Sequence, residues 1–175
     1  MNPLDLFTNA SDVPLRKEQA QQLLAETTGK DRALFGLVLE TGMDPKELSL
    51  LRWDDVFETE FAIKTYDKRL KRVRTVYAPK DIFAILTKFR GQNEELVFPY
   101  SDYILQQRCK ELTQRALGKE YGWHALRLTY ITLASASGIP LEIASENSGI
   151  SPNMLFKYWK HTPVEIRKLM ATKLV

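Results

Sequence analysis

Thr41-Gly42-Met43-Asp44-Pro45-Lys46-Glu47-Leu48 is the stretch on which the reading of this chain turns. Thr41-Gly42 stops the apolar run before it, as a glycine just past a helix does. Asp44 then suits an N-cap, Pro45 the first helical position and Glu47 the third, the arrangement of a capping box. Leu48, Leu50 and Leu51 follow, and Trp53-Asp54-Asp55 closes the short helix. Far downstream, His124-Ala125-Leu126-Arg127 sets a histidine and an arginine at a spacing that shares one helix face.

Outward from this stretch the chain reads as mostly helical. Residues 1–14 are a loose lead-in, and residues 15–175 form one domain. Leu15 to Glu26 is a first helix, with Ala20, Leu23 and Leu24 on one face. Asp31 to Glu40 is a second, strongly apolar one and is placed at the centre of the core. Phe61 to Tyr66 and Val73 to Tyr77 alternate and are rich in β-branched and aromatic residues, so they read as a hairpin. Helices follow at Pro79 to Phe89, from Ser101-Asp102 to about Leu117, at Trp123 to Ser137, at Leu141 to Asn147 and at Pro152 to Trp159. In the helix that starts at Asp102, Ile104, Leu105, Leu112 and Leu117 are expected to point inward. Thr162-Pro163-Val164-Glu165 opens a final amphipathic helix with Ile166, Leu169 and Met170 apolar. The fold class is mainly α with a small antiparallel β-hairpin.

A chain of 175 residues, 44% hydrophobic and 27% charged, has the profile of a soluble globular domain. It contains no apolar run long enough to span a membrane. Its start, Met1-Asn2-Pro3-Leu4-Asp5, lacks the basic beginning and apolar core of a signal peptide. The single cysteine, Cys109, excludes an internal disulfide and fits a reducing, cytoplasmic or nucleoid-associated setting. Net charge is only +3, but Lys64, Lys68, Arg69, Lys71, Arg72 and Arg74 fall within eleven residues, on the hairpin strands and the turn between them. Such a cluster neutralises several phosphates, or alternatively forms a solvated edge that lysines guard against strand pairing.

The two motifs together resemble the catalytic domain of the tyrosine recombinases, the phage integrase family, whose segments run Thr-Gly-x-Arg-x-x-Glu-Leu and His-x-Leu-Arg. The resemblance spans roughly residues 15 to 172. Leu51-Arg52-Trp53-Asp54-Asp55-Val56 resembles the family's approach to its hairpin, and Gly138-Ile139-Pro140-Leu141 its turn into the next helix. It implies an integrase-like fold acting on double-stranded DNA, with no metal and no cofactor. It also implies a reaction in which a tyrosine attacks phosphorus while two arginines hold the non-bridging oxygens. A hairpin lysine protonates the leaving oxygen. Lys68 occupies the lysine position, 24 residues after position 44, and His124 and Arg127 fill His-x-Leu-Arg.

The departures fall on chemistry. Asp44 stands where the first arginine belongs. Ile150 replaces the second histidine of the family's Leu-Gly-His-Ser, here Ser148-Gly149-Ile150-Ser151. Trp159 holds the nucleophile register, 32 residues after Arg127 and two before His161, with Tyr158 one residue early. One residue on a helix is a turn of about 100°, which aims Tyr158 elsewhere. Asp44 brings negative charge to the place of an anionic phosphate, and its pairing with Arg127 would neutralise the relic pocket.

Each retained group also has a plain reading. Lys68 reads equally as a hairpin lysine, His124 as a helix-start histidine, and Tyr158 and Trp159 as core or interface aromatics. Arg127 in an apolar helix needs an anionic partner, phosphate or carboxylate.

The functional expectation is a DNA-binding protein of recombinase fold, catalytically impaired. Lys64, Lys68, Arg69, Lys71, Arg72, Arg74 and Arg127 are the expected DNA contacts, and Lys68, His124, Arg127 and Tyr158 the relic catalytic set. The alternatives are an active recombinase using Tyr158, and an interaction module that no longer touches DNA. In that last reading the C-terminal helix docks on a second copy or a related recombinase, as the resemblance implies. The family's N-terminal DNA-clamping domain is expected to be absent.

Overall fold

The computed structural model of the chain describes residues 13–91 and 95–159. The final amphipathic helix and His161 lie outside these residues. Among the described residues, eight α-helices and a three-stranded sheet follow one another as α1 (Lys17–Ala25), α2 (Gly29–Thr41), α3 (Pro45–Ser49), β1 (Val56–Phe57), β2 (Ala62–Asp67), β3 (Arg72–Tyr77), α4 (Lys80–Leu86), α5 (Asp102–Leu117), α6 (Trp123–Ala136), α7 (Leu141–Ser148) and α8 (Pro152–Tyr158).

α2 is apolar on nearly every side, and the structure buries it on nearly every side. Ala33, Leu34, Phe35, Gly36, Leu37, Val38 and Leu39 are all buried, and α4 and α6 pack against it. Gly42 ends α2 in the left-handed region (φ 68°). A Cβ there would come within 2.7 Å of the Tyr130 ring, so both backbone and neighbour require glycine. A second, smaller apolar cluster joins the far side of α6 to α7 and α8 through Leu128, Tyr130, Ile131, Ala134, Ala144, Ile150 and Leu155.

The sheet is antiparallel in the order β1-β2-β3, with Ile63 opposite Val76, Thr65 opposite Arg74 and Asp67 opposite Arg72. β1 is only two residues long, too short to leave a pattern in the sequence. The turn between β2 and β3 covers residues 68–71. It is held by the Asp67 carboxylate, which accepts from the Leu70 N–H at 3.0 Å, and Lys71 adopts φ 52°. β3 lies against the end of α7. There the Asn147 side chain donates to the Tyr77 carbonyl at 3.0 Å and accepts from the Tyr77 N–H at 2.7 Å.

One sequence expectation is corrected. Ile104 is 44% exposed, because Ser101 caps α5 and the register this sets gives the core to Leu105, Cys109 and Leu112. Val73, in β3, is 63% exposed, and the inward face of that strand is taken by Arg74 and Val76.

Candidate phosphate-binding cleft

The turn at Met43-Asp44 is fastened from two directions. Trp123, at the start of α6, donates its indole N–H to the Met43 carbonyl at 3.0 Å. One turn on, the Arg127 Nε donates to the Gly42 carbonyl at 2.8 Å. The end of α2 and the start of α6 are thus joined by two side chains a helical turn apart. Asp44 then starts α3 as its sequence predicts. Its carboxylate accepts from the Lys46 N–H at 2.9 Å, and Glu47 reaches back to the Asp44 N–H at 3.0 Å.

Between α3, the hairpin, Arg127 and the Ser148-Gly149 turn lies a cleft of about 420 Å³. Its cations are Lys46, Lys64, Lys68, Arg69 and Arg127, and its acids Asp44, Glu47, Asp55 and Asp67. The Arg127 guanidinium bonds to Asp44 Oδ2 at 3.3 Å. Burial lowers the Arg127 pKa from its ordinary value, Asp44 and Glu47 pull it back up, and Arg74 lowers it further. A guanidinium keeps its charge throughout.

Arg74 is the main revision. Read from sequence as one of the DNA-contacting cations, it is 3% exposed and reaches beneath the cleft. Its NH2 donates to both Glu47 oxygens, at 2.7 and 2.9 Å, and to the Ser148 carbonyl at 3.2 Å, while NH1 donates to the Asn147 carbonyl. A side chain so enclosed offers no face to a duplex, and its Nε has no partner among the described residues. Gly149 completes the enclosure. It sits at φ 69°, and a Cβ there would fall 2.8 Å from the Arg74 Nε. Strand alternation carried the missed signal, because Arg74 lies two residues before the inward Val76 and so shares its face.

The other sequence candidates separate. Lys64, Lys68 and Arg69 line the cleft. Lys64 also lies over the Phe57 ring at 4.7 Å, and Arg69 is 3.9 Å from Asp67. Arg72 pairs with Glu146 of α7 at 2.7 Å on the surface, and Lys71 is exposed in the turn. His124 is exposed one turn before Arg127 and is not among the cleft residues. Tyr158 ends α8, where it and Trp159 pack against the second apolar cluster, and neither lines the cleft. Ile150 is buried in that cluster. Sequence reasoning missed Lys46, Asp55 and Asp67 as cleft residues, and Glu47 as the anchor of Arg74. Among the described residues no group of three or more His, Cys, Asp or Glu side chains is placed to hold a metal.

The model of the phage integrase family matches residues 14–165. The chain belongs to the phage integrase family. Solved structures of integrases and recombinases share its fold. The crystal structure of XerA recombinase is similar with a TM-score of 0.78 at 17% identity, covering 98% of this chain and 69% of that one. The Tn1549 transposon integrase in complex with circular intermediate DNA is similar with a TM-score of 0.77 at 18% identity, covering 95% and 69%. A lambda integrase dimer bound to a core site is similar with a TM-score of 0.68 at 15% identity, covering 88% and 61%. No curated protein matches by sequence. The fold is therefore that of a tyrosine recombinase catalytic domain, mostly helical with a small antiparallel sheet. No helix among the described residues is long and apolar enough to cross a membrane.

Proposed function

We propose that this integrase-family domain binds the backbone of duplex DNA across its hairpin and cleft and does not cleave it. The observation that carries the reading is the Asp44–Arg127 ion pair at 3.3 Å, set in a cleft rimmed by Lys46, Lys64 and Lys68. Several of the similar integrases and recombinases were crystallised with DNA, among them XerH on its difH substrate in a post-cleavage complex.

Strand cleavage requires a tyrosine oxygen to bond to phosphorus as the bond to the 5′-oxygen breaks, with cations around the pentavalent phosphorus. Here the guanidinium of Arg127 is already engaged by a carboxylate and by a backbone carbonyl. Asp44 adds a negative charge where negative charge must accumulate, a repulsion on the order of several kcal/mol at ~4 Å. Tyr158 does not line the cleft. Removing parts of a unit that works jointly costs far more than a proportional share of the rate. Lysines on the rim still serve as point charges for phosphates, which confers affinity with little sequence reading.

Fluorescence anisotropy of a labelled duplex against salt tests the first half of the proposal. Binding on the order of micromolar or weaker at physiological salt, weakening steeply as salt rises, is the expected result. No binding at low salt would overturn it. For the second half, a nicked duplex that traps covalent intermediates is incubated with the protein and run on a denaturing gel. No adduct is expected, and an adduct that vanishes in Tyr158→Phe would make the domain an active recombinase.

A further inference from the structure

The three-stranded sheet is covered on one side only. Partners across antiparallel strands share a face, so the register sorts the side chains into rows. Val56, Ile63 and Val76 make a buried row that faces the core. On the opposite face lie Phe57, Ala62 and Tyr77 in one row, Lys64 and Thr75 in the next, and Tyr66 and Val73 in a third. Tyr77 is 62% exposed and Tyr66 54%. The Lys64 ammonium lies over the Phe57 ring at 4.7 Å, on this same face.

Exposed rings gathered on one face of a small sheet mark a contact surface, and the charge around them says what kind. No carboxylate stands in the three outward rows. Asp67, at the end of β2, is buried on the other face, and Glu58 is paired with Arg90 at 2.9 Å. Asp55 and Glu60, before β2, are set against Lys64 and, beyond Tyr66, the turn cations Arg69 and Lys71. Rings with cations between and beside them suit nucleic-acid bases, which stack on aromatic faces while their phosphates meet the lysines. Row spacing decides between paired and unpaired strands. Rows two residues apart stand ~7 Å apart, twice the ~3.4 Å rise per base along a duplex strand. Bases seated on different rows are therefore unstacked from each other, which a single strand allows and an intact duplex does not.

We propose that the outward face of the sheet is a stacking platform for an unpaired nucleic-acid strand, with Tyr77 and Tyr66 each carrying a base and Lys64 between them meeting a phosphate. The platform and the cleft meet at Lys64 and Tyr66, which border both, while Tyr77 belongs to the platform alone. The platform stands without the duplex reading of the cleft.

Anisotropy of a labelled, unpaired oligonucleotide of about 12 nucleotides, as DNA and as RNA, tests the platform on the full chain. The chain is expected to bind, and the tighter of the two strands names the source. Tyr77→Ala and Tyr66→Ala are each expected to weaken binding about ten-fold, and Tyr77→Phe and Tyr66→Phe to keep most of it. Phe156→Ala, an exposed ring on α8, is the control and should change nothing. Both tyrosines are exposed, so thermal unfolding should move little in any of these variants. A strand of the same length without bases is expected to bind about ten-fold more weakly than the intact one. Tyr77→Ala is expected to leave duplex affinity unchanged.

Alanine variants that bind the unpaired strand like wild type would overturn the platform. So would an intact strand that binds no better than the one without bases, since phosphates alone would then explain it. Sedimentation of the chain covers the other occupant: self-association that Tyr77→Ala abolishes, with no strand binding, would make the face a contact between copies. A chain that binds duplex and ignores the unpaired strand would lose the platform and keep the duplex reading. One that binds the unpaired strand through Tyr77 and ignores duplex would do the reverse.

Discussion

Two arginines end beside the same cleft, and they are held in opposite ways. Arg74 rises from the sheet with its side chain 1% exposed, closed in by Glu47 at 2.7 Å and by carbonyls of the α7 end. Arg127 comes from α6 with its side chain 23% exposed, and its carboxylate partner Asp44 is 43% exposed and 3.3 Å away. The first pair is part of the frame that positions α3 against the hairpin. The second is a longer, solvent-reached contact. Charge alone does not distinguish them in the sequence; burial does.

The comparison breaks most decisively at Glu47. Glu47→Ala strands a buried guanidinium and removes half of the capping box, so urea unfolding should show a loss of about 3–5 kcal/mol. Joining Glu47→Gln to Arg74→Met should recover most of that loss, because a buried pair replaced whole by matched neutral groups is close to neutral. A loss below about 1 kcal/mol for Glu47→Ala would place the pair in solvent after all.

Gly149→Ala sharpens the same contrast from the backbone side. It puts a Cβ into left-handed backbone and 2.8 Å from the Arg74 Nε, for an expected cost of about 1–3 kcal/mol. Gly118→Ala is the matched control. It also has positive φ (70°), but a Cβ there meets nothing within 4 Å, so it should cost about 1 kcal/mol. Equal losses at both sites would remove Arg74 from the explanation.

At the loose pair the expected change is in binding. Asp44→Asn keeps a good N-cap and frees Arg127, so duplex affinity at moderate salt should rise about ten-fold, with stability within roughly 0.5 kcal/mol of wild type. Unchanged affinity would mean that Asp44 does not restrain Arg127.

The smallest effect is expected at a carboxylate that has no arginine. Burial, reinforced by Asp81, raises the Glu40 pKa above 4.5. The folded protein therefore holds this proton more tightly than the unfolded chain does. As pH climbs past 4.5 the unfolded chain ionises first, and stability falls until the folded pKa is passed. Glu40→Gln should match wild type at acid pH and exceed it slightly at pH 7, as read by thermal unfolding across that range. Equal stability at both ends would deny the upward shift at Glu40.

The helices were legible because their signals are local. The capping box at Asp44 and Glu47 and the stops at Gly42 and Gly149 each sit within a few residues of the event they cause. The site was legible only in part. Arg127, Lys64, Lys68 and Arg69, singled out in the sequence, line one cleft. Arg74 does not: strand alternation puts it on the face of Val76, but neither the alternation nor the run of charge names the groups that enclose it. Its partners, Glu47 and the 147–148 carbonyls, stand 27 and more residues away along the chain. Lys46 was hidden for the same reason, since its place in the cleft depends on how α3 and the hairpin are set together.

The Asn147 side chain carries one more consequence. β3 is an outer strand of the sheet, and its backbone groups at Tyr77 would otherwise be open to pairing with a strand from another molecule. By donating to and accepting from Tyr77, the Asn147 amide imitates a neighbouring strand one residue long. The Arg72–Glu146 pair lies along the same margin. This end of the sheet is thereby protected from growing into a larger one, so assembly of copies by strand addition has no foothold there.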